Sequence, residues 1–156
     1  MRLLTIILLL STLVSAQGGT FSGYGSGCTT NPAFMPVLQQ TLNNAPNIGQ
    51  PFVIRYSNVP GSGVGITGTL LVFFGLYPTQ TPTPFPGCTS LTSNDLTITG
   101  LLQMNGTQQF FQAFTMPNEP FLIGFTFFTQ SLLYSSAPPP RNGFTVTNGL
   151  RFTIGR

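Results

Sequence analysis

The sequence predicts an all-β protein: an antiparallel β-sandwich of jelly-roll or Greek-key type, with a flattened β-barrel as the alternative. Three observations predict it. The apolar runs repeat with period two and are rich in Phe, Thr, Ile, Leu and Val, which suit a pleated, half-buried surface. Clusters of glycine, proline and asparagine punctuate those runs at short intervals, as turns between strands do. Beyond the first residues no segment carries a convincing helical period, although residues 35–43 have room for one helical turn.

The chain opens with Arg2, an apolar run from Leu3 to Leu13, and Val14-Ser15-Ala16 ahead of Gln17. That is the pattern of a secretory signal peptide spanning residues 1–16. The run falls short of the roughly 18 to 20 residues that cross a bilayer. Later apolar runs are interrupted by Gly, Pro, Thr and Gln, so no membrane span is expected and the product should be secreted, extracellular or cell-surface-bound, with the periplasm as an alternative. Residues 17–27 (QGGTFSGYGSG) read either as a Gly/Ser-rich arm or as an irregular stretch tied down by Cys28. As a free arm it would suit strand addition to a neighbour. Residues 28–156 are expected to form one domain around one core.

Along that domain, residues 51–58 alternate Phe52, Ile54 and Tyr56 against Val53, Arg55 and Ser57. Residues 69–77 (TLLVFFGLY) are apolar on both parities, as in a central strand. Leu96 and Ile98 mark a short strand beginning near Asp95. Residues 108–116 set Phe110, Gln112, Phe114 and Met116 on one side and Phe111, Ala113 and Thr115 on the other. Residues 121–134 suggest one long or bent strand with a bulge at Gly124. Residues 144–154 contain Asn148-Gly149, a strong hairpin signal because a type I′ turn needs positive φ at both central positions. The proline-rich stretches 79–87 and 137–142 read as loops. Pro46, Pro51, Pro60, Pro78, Pro117 and Pro120 stand near strand ends and would guard the sheet edges that lysine usually protects.

Charge is scarce: five arginines, two acids, no lysine and no histidine in 156 residues. Removal of residues 1–16 leaves four arginines against Asp95 and Glu119, too few and too scattered for a nucleic-acid patch. Without His or Lys, no serine has a ready general base. Asp95 and Glu119 form the sole carboxylate pair open to glycosidase chemistry, yet Ser-Asn-Asp-Leu and Pro-Asn-Glu-Pro read as turns, where capping or a surface ion pair with Arg55 or Arg151 is the simpler role. Calcium wants several carboxylates close together, so neither metal nor cofactor is expected. Residues 61–68 (GSGVGITG) resemble a phosphate-cradling loop only superficially, since no Lys-Ser/Thr follows. Asn105-Gly106-Thr107 matches a glycosylation acceptor and is otherwise a turn.

Cys28 and Cys88 are the two cysteines. An even pair in an exported domain is expected to form a disulfide. Closing a loop of about 60 residues would remove roughly 4 kcal/mol of unfolded-state entropy. With no His and no Cys-x-x-Cys, zinc and redox roles fall away. The four tyrosines, Tyr24, Tyr56, Tyr77 and Tyr134, are the candidates for stacking on a sugar, while the phenylalanines alternate as core residues do.

Several fragments, taken in order, carry a resemblance: Tyr24-Gly25-Ser26-Gly27-Cys28, Asn47-Ile48-Gly49-Gln50-Pro51-Phe52, Pro86-Gly87-Cys88, Met116-Pro117-Asn118 with Leu122-Ile123-Gly124 and Gln130, and Thr147-Asn148-Gly149-Leu150 with Thr153-Ile154-Gly155. Together they resemble an uncharacterised β-rich module of secreted bacterial proteins, found alone behind a signal peptide or at the C-terminal end of larger exported chains. The resemblance implies an extracellular β domain with its two cysteines paired, and it brings no established activity and no known catalytic residues.

The expected function is therefore a secreted, non-catalytic structural or interaction module. Its partner would be a protein or a cell-surface component, including another copy of itself, because an uncharged surface offers little repulsion. The alternative is a carbohydrate-binding module, which a solvent-exposed row of tyrosines would favour.

Overall fold

A computed structural model describes residues 18–29, 37–40, 45–59, 67–103, 109–135 and 143–156. The expected leader 1–16, most of residues 61–68, Asn105 and Arg141 lie outside them. The strands in chain order are β1 (Thr20–Tyr24), β2 (Cys28–Thr29), β3 (Val37–Gln40), β4 (Pro51–Ser57), β5 (Thr67–Gly75), β6 (Pro78–Pro82), β7 (Thr89–Thr92), β8 (Leu96–Gln103), β9 (Gln109–Thr115), β10 (Thr126–Ser135), β11 (Gly143–Val146) and β12 (Gly149–Thr153). All strand pairs between them are antiparallel. No helix among the described residues is long and apolar enough to cross a membrane.

Two sheets face each other. In the larger, β8 pairs β5 and β5 pairs β10, while the far edge of β10 is shared by β12 and β11, which in turn pair β1 and β2. The smaller runs β3-β4-β9. Among the described residues no ladder joins the two sheets, which makes a sandwich and not a closed barrel. The core fills the gap: Phe52, Ile54 and Tyr56 from β4 meet Leu70, Val72 and Phe74 from β5, Leu133 from β10, and Leu150 and Phe152 from β12. Alternation in residues 51–57 thus places one parity inside, as the sequence implies.

Several local expectations change. The described part of the expected arm, residues 18–27, is largely built in: β1 pairs β12 from Thr20↔Thr153 to Tyr24↔Gly149, and Phe21 packs on Phe52 and Phe152. Residues 37–40 form a strand where a helical turn had room. Gly124 has φ +84° and lies in the turn before β10, after a 3-10 turn at Pro120–Leu122, so the bulge expected there is absent.

Asn148-Gly149 is not a hairpin turn. Neither residue has positive φ, and β11 and β12 run on along the same edge of β10. Between Thr129↔Leu150 and Leu132↔Val146, two residues of β10 face three of its neighbour, a β-bulge. The next strand repeats the expansion: between Tyr24↔Gly149 and Cys28↔Val146, three residues face two, with Gly25 at φ +63°. Each outward strand takes a longer path than the one inside it, and the sheet curls there.

The proline-rich stretch after β5 carries a hairpin, β6-β7, with a register shift between Pro78 and Thr81. It lies against the outer face of the large sheet near Gln130. Just past β12, Gly155 passes so close to Gly19 and Asn47 that a Cβ there would collide with backbone. That contact carries a parallel bridge between Asn47 and Gly155.

Candidate functional site

Three features stand out: an apolar mouth, an aromatic patch and a buried polar node. The mouth opens between β8 and β9, the edge strands of the two sheets, each paired on one side only among the described residues. On the inner face of β8, Leu96 lies opposite Phe74 and Ile98 opposite Val72. The small sheet does not reach far enough to cover them, so Leu96 is 57 % and Ile98 36 % exposed. Behind this lip is a cavity of about 300 Å³, lined by Phe52, Phe74, Phe114, Phe127, Phe152, Leu96, Ile98 and Met116, with Asp95 at its rim. Its floor is a continuous aromatic stack. Phe52 and Phe114 lie 5.4 Å apart and stacked, Phe74 meets Phe114 edge-on at 5.2 Å, and Phe127 stacks on Phe152 at 5.6 Å. The size and lining are those of a pocket for an apolar group.

Asp95 has a local duty. Its Oδ2 accepts hydrogen bonds from Ser93 Oγ at 2.6 Å and from the Leu76 amide at 2.8 Å. Those bonds, the Ser93 hydroxyl first, hold its carboxyl below the ordinary carboxylate range. Asp95 thus caps the turn that enters β8 and ties it to Leu76, the residue that follows β5. Among the described residues no three His, Cys, Asp or Glu side chains come together to hold a metal ion.

The tyrosines do not form a row. Tyr56 is fully buried, its hydroxyl 2.9 Å from Ser131 Oγ across the sandwich. Tyr24 lays its ring over Gly149, meets Phe128 edge-on at 5.7 Å and donates its hydroxyl to the Leu91 carbonyl at 2.6 Å. Both are structural, which corrects their candidacy as stacking residues. Tyr77 and Tyr134 are exposed. Tyr134 faces Thr69 at one end of β5, whereas Tyr77 lies beyond Gly75 at the other, roughly 20 Å away at about 3.3 Å per residue. Tyr134 instead joins Phe144 at 4.8 Å, and Phe144 stacks on Phe85 at 4.9 Å. Tyr134 and Phe144, with Thr69, Leu71 and Leu132, line a shallow depression on the outer face of the large sheet. Phe85 and Phe144 carry no sequence signal as site residues, because one sits in a proline-rich connection and the other in an alternating strand.

The third feature is structural. The Cys28–Cys88 disulfide, with Cα atoms 5.3 Å apart, ties β2 to the start of β7. Beside it, the Gln130 carboxamide accepts from the Leu91 amide at 2.8 Å and donates to the carbonyls of Thr89 at 3.1 Å and Thr147 at 2.9 Å. Ser131 donates its amide to Thr147 Oγ1 at 2.9 Å, and the Thr147 amide returns to the Ser131 carbonyl at 2.9 Å. The threonine hydroxyl thus supplies an acceptor at the interrupted ladder.

No protein-family model matches the chain, and no curated protein matches it in sequence. Among solved structures, a superoxide reductase (neelaredoxin) from Ignicoccus hospitalis is similar over 78 % of this chain and 80 % of that one, at 11 % identity and a TM-score of 0.37. A likeness that low carries no argument about function.

Proposed function

We propose that this chain is a secreted, non-catalytic structural or interaction module that engages a protein or cell-surface component through the mouth between β8 and β9. The observation that carries the reading is the pairing of an aromatic-lined slot with two strand edges that are unpaired among the described residues. Large exposed apolar patches on a folded protein mark interaction sites. Supporting it, the chain has no His or Lys, and Asp95 Oδ2 is committed to a turn. The disulfide suits an oxidising compartment, as does the leader-like N-terminus.

The test uses the fluorescent apolar probe anilinonaphthalene sulfonate at low protein concentration, with circular dichroism to confirm folding. The parent is expected to give saturable enhancement, lost in Leu96→Asp and Ile98→Asp. A folded parent with no enhancement would show that the mouth is closed to apolar groups and would sink the reading.

A second reading, carbohydrate binding, is favoured by the exposed rings of Tyr134 and Phe144 with Phe85 beside them. Glycan-array signal abolished by Tyr134→Ala and untouched by Ile98→Asp would replace the first reading with this one.

A further inference from the structure

We infer that the occupant of the mouth is a second copy of this chain, paired antiparallel along the edge of β8 that is free among the described residues, about a two-fold axis at Thr99. The inference rests on the reading of the mouth as a contact surface and names its partner. Its first support is the edge itself. The β8 strand runs without a bulge against β5 from Gln103 to Leu96, and its sequence, LTITGLLQ, holds no proline and no charge. A long, regular, uncharged edge is the template that proteins ordinarily disrupt. Prolines stand near other strand ends, but none lies in β8 or β9.

The second support is exposure on both faces. Leu96 and Ile98 stand open on the inner side and Leu101, 78 % exposed, on the outer side. A partner strand would cover both faces at once, which a ligand confined to the slot would not.

The third is self-complementarity. Directly opposed residues of an antiparallel pair share a face, so only registers that set even positions against even ones keep the inner side apolar. Centring on Thr99 sets Ile98 opposite Gly100 of the second copy and Thr97 opposite its Leu101. Gly100 has open space on its inner side, where a Cβ would meet only the end of Gln112 at 3.9 Å, and the branched Ile98 side chain fills such space. Centring on Gly100 would oppose two glycines. Centring on Ile98 would press the Asp95 carboxylate against a leucine, a costly desolvation. In the Thr99 register Leu102 and Gly100 of the second copy stand opposite Leu96 and Ile98, so the partner strand carries the inner face on beyond β8 beside the slot.

The experiment combines light scattering with cysteine cross-linking of the full chain, its native disulfide intact. The parent is expected at twice the mass of one chain. Ile98→Lys and the milder Thr99→Lys, which carry a charge into the seam, should return it to monomer with unchanged circular dichroism. Thr99→Cys should oxidise to a covalent dimer, because residue 99 opposes itself. Thr97→Cys and Leu101→Cys should do so only when mixed. A parent that stays monomeric at the highest attainable concentration overturns the inference, as does a dimer that survives Ile98→Lys and Thr99→Lys or fails to cross-link through position 99. In each of those cases persistent probe binding in the mouth leaves the interaction reading standing, and its absence removes that reading separately.

Discussion

The Gln130 carboxamide oxygen accepts the Leu91 amide at 2.8 Å, while its nitrogen donates to the Thr89 carbonyl at 3.1 Å. One side chain thereby takes the place of a backbone amide and pairs with β7 as a neighbouring strand would. Its second donor reaches the Thr147 carbonyl in the bulge, so every hydrogen-bonding direction that the amide most needs is used. Replacing Gln130 with Leu leaves three backbone groups unmatched, two of them donated to and one donating, in a buried setting. A loss of roughly 3 kcal/mol is expected from chemical denaturation. Gln130→Glu should be less stable than the parent at neutral pH and recover as the pH falls, because only the protonated carboxyl can donate.

Reduction of the Cys28–Cys88 bridge opens a loop of 60 residues. A loss of about 4 kcal/mol is expected in the chain-entropy account. Urea unfolding with and without reductant measures it, and the Cys28→Ser/Cys88→Ser double variant should reproduce the reduced curve. An unchanged midpoint would show that the hydrogen bonds to β7, those of Gln130 and Tyr24 among them, hold it in place without the bridge.

Thr129 is fully buried on the inner face of β10, and its hydroxyl finds no partner among the described residues. Valine has nearly the same shape without the unmet polar group. Thr129→Val is expected to raise stability by about 1 kcal/mol, read as a higher denaturation midpoint; a destabilised variant would mean the hydroxyl is satisfied in solution.

Burial pushes the Tyr24 phenol up from 10.0 to about 12 and the Tyr56 phenol higher still, the Ser131 hydrogen bond opposing the latter only in part. Both phenols hold their protons more tightly folded than unfolded. Their contribution is complete below the ordinary phenol value and is lost as the pH rises above it. Alkaline unfolding followed by circular dichroism should therefore begin near pH 10. Tyr56→Phe should flatten that dependence even though it costs stability at neutral pH by removing the bond to Ser131.

The alternation of Phe52, Ile54 and Tyr56 made β4 legible, and the cysteine pair made the disulfide legible, because burial and redox chemistry both act through residue type. Pairing partners are set by long-range geometry, so nothing local announced that β8 and β9 would be the open edges, or that Phe52, Phe114 and Phe152 would line a slot as well as a core. The hairpin β6-β7 was hidden by its prolines, which fit because its outer side needs no ladder. Asn148-Gly149 misled because the same residues that make tight turns also relax a bulge. Tyr56 looked like a candidate platform only because its phenol partner, Ser131, is 75 positions away.

The extra residue at Thr147-Asn148 also changes the phase in which the C-terminal strand is read. Before it the odd position Thr145 points inward, opposite Leu133; after it the even positions Leu150 and Phe152 do, opposite Thr129 and Phe127. Because side chains alternate strictly, loss of a single residue there would rotate Leu150 and Phe152 into solvent and bring Arg151 into the core. The C-terminal half of the sandwich thus depends on chain length at that point, and any functional relative of this protein is expected to keep the count of residues there even where it keeps none of their identities.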